Sequence, residues 1–369
     1  MKNILLISNQ VFHYRVPIYN YFYESFRKEG YNFCVLTNKL QENFDHQPAF
    51  ECIVKKPSIK AYQKVVEEYN PSAVIFFMHL KDWIMWPMTH WLKIKKMPFI
   101  YWNHGVNLQD PENVWKNVLY HYLHDLSDAI VLYSPEERKY IKKRNQRKVF
   151  IGYNTLNFNE FPVIEESKEE LKAELGIHYK KVVIFAARNN PARKLDLLLD
   201  AYQQFDEPDI GVIVAGGGGL NAKQQEIIDN NNGIMHFGQI PNQLTFNKLV
   251  KLSDVFTIPG KSGLAINQAF YWSIPYITTN VKQSPEVWYL KDGYNGFIAD
   301  INQKGDYRDK LFELLQNDQL RSQMAENANN TAQEEASISN MFSGFYDAVT
   351  YVNDQKKVGQ RSLRSNRNN

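Results

Sequence analysis

Two series of short apolar runs, separated by longer stretches of helical periodicity, constrain this 369-residue chain more than any other feature. The first series lies at residues 3–8, 32–37, 73–78, 98–102, 129–133 and 148–151. The second lies at 181–187, 210–215, 233–237, 255–258 and 276–279. Runs this short and continuously apolar read as strands buried on both faces, and the intervening helices cover a parallel sheet. A helix is predicted over 17–28, with Pro17 in its first turn and Gly30 just past its end. Further helices are predicted near 195–205, 221–230, 242–252 and 263–272, and residues 304–352 read as helical. The expected fold class is α/β, with two doubly wound, Rossmann-like parallel-sheet domains. The expected layout is an N-terminal domain over 1–155, a linker over 156–180 carrying one short helix near 168–175, and a C-terminal domain over 181–335. A C-terminal helix over 336–354 could pack back toward the N-terminal domain. The polar, basic tail 355–369 is expected to be disordered.

The hydrophobic fraction of 44% suffices for two cores and excludes a disordered chain. Net charge is only +3, but residues 1–155 hold 21 Lys/Arg against 14 Asp/Glu, whereas residues 156–354 hold 17 against 26. A basic front half suits an anionic partner, either a phosphate-bearing acceptor or an anionic membrane; a solvated surface reads the same way. Nucleic acid is not expected as a partner, because the basic residues form no recognised binding module. Cys34 and Cys52 lack metal-ligand spacing, which points to a reducing compartment rather than a disulfide scaffold. The apolar run 4–7 is too short for a signal-peptide core, and no run reaches the ~18 residues of a membrane span. The expected location is the cytoplasm, either free or peripheral at the inner face of the cell membrane.

Four loops of the second series end strands and share one crevice, because ligands of such sheets bind at the carboxyl ends of the strands. Pro259, Gly260, Lys261, Ser262, Gly263 and Leu264 follow a strand and open a helix. Glycines there let backbone N–H groups approach an anion, and Lys261 and Ser262 add a cation and a hydroxyl. Arg188, Arg193 and Lys194 sit between a strand and a Leu-rich helix, where guanidinium groups suit a pyrophosphate. Gly216, Gly217 and Gly218 follow a buried strand, and Ile240 closes a Phe-Gly-Gln-Ile run starting at Phe237. Each loop alone also fits ordinary turn chemistry or surface ion pairing; together they line one rim.

These loops, in this order and spacing over about 180–330, resemble the retaining GT-B glycosyltransferases of family four. The likeness continues through Ser253 to Pro259, Ile274 to Thr278 and Asp292 to Phe297. It implies two Rossmann-like domains facing across a cleft, a nucleotide-sugar donor held mainly by the second, and a glycan or lipid-linked acceptor. In the family an Arg and, five residues on, a Lys hold the donor diphosphate; Arg188 and Arg193 fall at those positions, with Lys194 one step late. The family also shows two glutamates, for the donor sugar and the ribose. Aligning on Gly263 and Leu264 puts Gly260 at the first and Gln268 at the second. Gln268 can still bond a ribose, but Gly260 cannot replace a carboxylate. The Pro-Gly-x-x-Gly-Leu form resembles a variant of the family in bacterial surface-polysaccharide enzymes.

In the first series, His104 precedes Gly105 at a strand end, and the resemblance implies a place near the donor sugar and reaction centre. His13, Tyr14 and Arg15 stand where the family commonly has a Gly-rich loop. Arg15 suits an acceptor phosphate and His13 or Tyr14 a sugar, although Arg15 as a local cap fits equally. Residues 83–96, with three tryptophans and three lysines, and 138–148, with seven basic residues, suit an anionic membrane surface or a buried core and a solvated face. No carboxylate pair has metal-ligand spacing, so no metal and no other cofactor is expected. The expected activity is metal-independent, retaining sugar transfer in surface polysaccharide synthesis. A non-catalytic GT-B binding module and a nucleotide-sugar epimerase remain as alternatives.

Overall fold

A computed structural model describes the chain except residues 42–45, 109, 206, 241 and 366–369; the side chains of 116 and 357–365 also lie outside the description. The chain divides into two compact units, Met1–Asn157 with Ile338–Asn369, and Phe158–Ser337.

The first unit holds strands β1 (Lys2–Ser8), β2 (Tyr31–Thr37), β3 (Glu51–Val54), β4 (Ala73–Phe77), β5 (Phe99–Trp102), β6 (Ala129–Leu132) and β7 (Val149–Ile151). They form one all-parallel sheet in the order β3-β2-β1-β4-β5-β6-β7. The strand order reverses between β1 and β4. Helices α1 (Val16–Lys28), α2 (Ile59–Tyr69), α3 (Met85–Ile94) and α4 (Val114–Leu126) connect the strands. Strand β3 is not among the sequence-predicted elements: four residues with both end residues exposed make too short and too polar a run for an apolar-pattern reading.

The second unit holds β8 (Lys181–Ala186), β9 (Ile210–Ala215), β10 (Ile234–Gly238), β11 (Val255–Thr257), β12 (Tyr276–Thr279) and β13 (Gly296–Ala299). They are also all parallel, in the order β10-β9-β8-β11-β12-β13. Its helices are α5 (Lys168–Glu174), α6 (Leu195–Tyr202), α7 (Ala222–Asp229), α8 (Gln243–Leu252), α9 (Ala265–Tyr271), α10 (Asp306–Gln316) and α11 (Asp318–Glu334). Here the order reverses between β8 and β11.

Residues 158–180, within the expected linker, pack into this second unit. Ser167 and Glu170 form a capping box that starts α5, and Ile164, Leu171 and Ile177 are buried in the core. Asp254, beside β11, holds Lys168 and Lys172. The last helix, α12 (Ile338–Ser365), belongs to the first unit. Its Phe345 packs edge-on against Trp102 and lies 4.9 Å from the ring of Phe22, and Phe342 lies 4.8 Å from Phe26. The expectation of a disordered tail over 355–369 is corrected up to Ser365, which is helical. A helix already nucleated by buried Met341, Phe345 and Val349 extends cheaply through Gln, Lys and Arg. Residues 366–369 of that tail lie outside the described residues. Among the described residues no helix is long and apolar enough to cross a membrane.

Candidate functional site

The point in the second unit where strand order reverses brings two predicted loops together. Residues 187–194 leave β8 and residues 258–264 leave β11, its neighbour in the sheet. The Gly260 and Lys261 amides donate to the carbonyls of Arg193 (3.0 Å) and Ala192 (2.9 Å). Arg193 Nη1 donates back to the Lys261 carbonyl and, at 3.2 Å, to that of Ser262. The glycine turn after β9 is equally close. A Cβ on Gly216 would stand 2.1 Å from the Ala187 carbonyl oxygen, and one on Gly218 2.4 Å from that of Asn189 and 3.2 Å from Arg188 Cγ. The Gly216 amide donates to the Gly238 carbonyl at 2.6 Å, which ties in the loop that carries half-buried Ile240. Arg188, Arg193, Lys194, Gly216, Gly217, Gly218, Lys261 and Gly263 therefore share one rim, with Ser262 behind it. No carboxylate pairs with Arg188, Arg193, Lys194 or Lys261 among the described residues. Lys194 takes a left-handed conformation (φ 55°) as it caps α6.

The turn at 260–263 differs from its sequence reading. Its four amides do not present themselves to an anion: Gly260 and Lys261 bond the 192–193 backbone, Ser262 donates to Gln283 Oε1 (3.1 Å) and Gly263 to Ser284 Oγ (2.8 Å). Ser262 is buried, with its hydroxyl near Thr278 Oγ1 rather than on the rim. The amides of Gly217, Gly218 and Gly219 have no protein acceptor among the described residues, so exposed N–H groups are supplied by the other turn. Arg193 is the brace between two loops, and its Nη1 is committed to carbonyls. Gln268, on α9, is buried; its Nε2 donates to Asn247 Oδ1 at 2.6 Å, which fixes the side chain against α8. Leu264 sits at the N-cap of α9.

In the first unit the predicted residues collect at the carboxyl ends of β1, β4, β5 and β6. Arg15 is buried. Its guanidinium lies 4.8 Å from the Trp102 ring, 5.1 Å from Phe77 and 5.3 Å from Tyr14, and Nη1 donates to Asn154 Oδ1 at 3.2 Å. The same aromatic shelf continues from Trp102 to Tyr133 (5.6 Å) and from Tyr133 to the His104 ring (4.0 Å). His13 is exposed, lies 3.3 Å from Gln41 Oε1 and meets the shelf only through its edge contact with Tyr14 (5.8 Å). His104 Nδ1 is 3.0 Å from Glu137 Oε1. Glu137 is buried, and its Oε2 accepts the amides of Tyr133 (2.7 Å) and Ser134 (3.1 Å). A carboxylate so held puts the proton on Nδ1 and leaves Nε2 as an acceptor.

Several organising residues escape a sequence reading. Glu137 is one; the local signal that marks it is its place as the fourth residue of a Ser-x-x-Glu capping box starting at Ser134. Asn103 accepts the Gly105 amide (2.6 Å) and a bond from His124 Nε2 (3.2 Å), so His124 backs the turn that carries His104. Burial, then nearby His121 and Lys148, depresses the His124 pKa to about 3. Gln283 and Ser284 reach the 260–263 turn from another segment, and no local pattern announces that. Among the described residues no group of three His, Cys, Asp or Glu could hold a metal ion.

Known proteins share this architecture.

Residues 167–331 match the family of glycosyl transferases group 1.

An uncharacterized glycosyltransferase of Methanocaldococcus jannaschii is 25% identical over 207 residues, covering 54% of this chain and 53% of the relative. Spore coat protein SA of Bacillus subtilis is 26% identical over 180 residues, 43% of this chain and 46% of that one. The chain thus spans about half the length of these curated relatives. Anabaena HepE, solved with UDP, superposes with a TM-score of 0.71 at 14% identity, over 95% of this chain and 100% of that one. The fold is that of the GT-B glycosyltransferases: two Rossmann-like units, each built on a parallel sheet.

Proposed function

We propose that the chain is a glycosyltransferase that moves a sugar from a nucleotide-sugar donor to a glycan or lipid-linked acceptor, with retention and without a metal. One observation carries this: three cations lacking carboxylate partners, Arg188, Lys194 and Lys261, stand on the two loops that leave β8 and β11 where strand order reverses, and the open glycine turn after β9 packs against the first of them, inside the group 1 match. An electropositive rim of that kind suits a diphosphate, and HepE is a fold neighbour solved with UDP and with UDP-glucose.

In the proposed reaction the bond from the anomeric carbon to the phosphate oxygen breaks, and a bond to the acceptor hydroxyl forms. The acceptor proton passes to the departing phosphate, and the nucleoside diphosphate leaves. Arg188, Lys194 and Lys261 stabilise its developing charge, the work a metal does elsewhere. His104, oriented by Glu137, offers Nε2 to a sugar hydroxyl, and the Arg15 shelf faces the acceptor. A role in surface polysaccharide synthesis is supported by the spore-coat name of one relative.

Thermal-shift screening with UDP-, GDP- and ADP-sugars tests donor binding, since a ligand of the native state raises the melting temperature. NMR of the matching donor with an acceptor panel then reads turnover and the anomeric configuration of the product. Donor binding without turnover would favour a binding module. Conversion of donor to its epimer with no acceptor present would make the protein an epimerase.

A further inference from the structure

Two observations on the first unit meet away from the proposed sugar site. Helix α4 turns an apolar stripe outward: Val114, Trp115, Val118, Leu119 and Tyr122 are 70, 88, 47, 47 and 43% exposed. Positions 115, 118, 119 and 122 are one face of a helix, and Asp125 continues it. Trp83 and Ile94, flanking and ending α3, are exposed as well, and Tyr122 OH lies 2.6 Å from His90 Nε2 of α3. Contiguous exposed apolar surface of this kind marks an interaction face.

Asp125 also borders a cavity of about 500 Å³ at the amino ends of β5, β6 and β7, the edge opposite His104. Its walls carry Lys93, Lys96, Arg147, Lys148 and Lys356 against Asp125 and Asp128. Both acids are committed, Asp128 to Lys93 at 2.7 Å and Asp125 to Arg144 and Asn145. Lys96, Arg147 and Lys356 have no carboxylate partner among the described residues. Half-buried Lys148 donates to the Ser127 carbonyl, and its pKa falls through burial, with Lys93 and Arg147 adding to the fall. Of the basic run 138–148, only Arg147 and Lys148 reach this cavity.

We propose that this face docks on an anionic phospholipid surface, with a lipid phosphate in the cation-lined cavity and the α4 stripe in the interfacial layer. Uncompensated cations beside exposed Trp and Leu are complementary to such a surface in both charge and polarity. The stripe and the cavity share one helix, so one surface engages both.

Sedimentation of the full chain with vesicles tests this, using phosphatidylcholine alone and phosphatidylcholine mixed with phosphatidylglycerol. The expected result is roughly tenfold more protein on the anionic vesicles, falling as salt is raised. Trp115→Ser with Leu119→Ser, and separately Lys96→Asn with Arg147→Glu, each abolish that excess while leaving the melting temperature and the donor-induced shift unchanged. Four results would overturn the proposal: no preference for anionic vesicles, retained binding in either double variant, stabilisation by inorganic pyrophosphate through the cavity cations without vesicle binding, or a solution dimer that Trp115→Ser dissociates. The donor shift is read independently, so failure of lipid docking and failure of the transferase reading are distinguishable.

Discussion

A Cβ at Gly260 would stand 2.0 Å from the carbonyl oxygen of Ala192, closer than any side chain tolerates. The turn after β11 is therefore welded to the loop after β8 only because residue 260 has no side chain. A glutamate at this position, as in the pattern the sequence resembles, would push the two loops apart. Gly260→Glu is expected to destabilise the second unit by about 1–3 kcal/mol and to weaken donor binding rather than improve it. Urea unfolding and the donor-induced thermal shift check this; tighter donor binding would show that the carboxylate fits after all.

Arg188 and Arg193 are expected to separate on mutation. Arg188 is exposed and has no ion pair among the described residues, so Arg188→Ala should leave ligand-free stability within about 0.5 kcal/mol while abolishing the donor shift. Arg193 braces the carbonyls of Lys261 and Ser262. Arg193→Ala should cost about 1–2 kcal/mol without ligand and also weaken the donor. An unchanged donor shift in Arg188→Ala removes that residue from the site.

Both sheets were legible because their central strands are continuously apolar and flanked by amphipathic helices. Strands β3 and β13 were not, being four residues each with half-exposed positions. The rim was legible as a set of strand-end loops, but not its internal wiring. That Ser262 turns inward and that the 260–263 amides are engaged depends on Gln283 and Ser284, over twenty residues away in sequence. His104 and Arg15 were each readable from position, but the Trp102–Tyr133 shelf joining them is a tertiary fact.

Catalysis with cations in place of a metal predicts full turnover in excess EDTA. No metal-ligating group of three is present among the described residues, and Arg188, Lys194 and Lys261 supply the positive charge in the proposed reaction. Turnover lost in chelator and restored by Mg²⁺ or Mn²⁺ would transfer that role to an ion.

His104→Ala is expected to lower kcat roughly 10²-fold while keeping the donor shift, because His104 lies in the first unit and the proposed diphosphate rim in the second. Glu137→Gln should lower kcat in the same direction. It replaces one acceptor oxygen by an amide that cannot accept from both His104 and the 133–134 backbone. Equal loss of donor binding and kcat in His104→Ala would instead make it a donor-binding residue.

His124 is expected to make the first unit less stable in acid. Its folded pKa of about 3 lies below the ordinary value of 6.5, so the fold holds the neutral ring, with Nε2–H donated to Asn103. The unfolded chain binds a proton that the folded chain refuses. The contribution is complete above pH 6.5 and drains as pH falls from 6.5 toward 3. His124→Gln keeps a donor for Asn103 and removes the titration. Its stability is expected to fall less steeply over that window. Urea unfolding followed by tryptophan fluorescence reads this, since five of the seven tryptophans lie in the first unit. Parallel slopes for the two proteins between pH 7 and 4 would mean that protonation of His124 is not what limits the fold in acid.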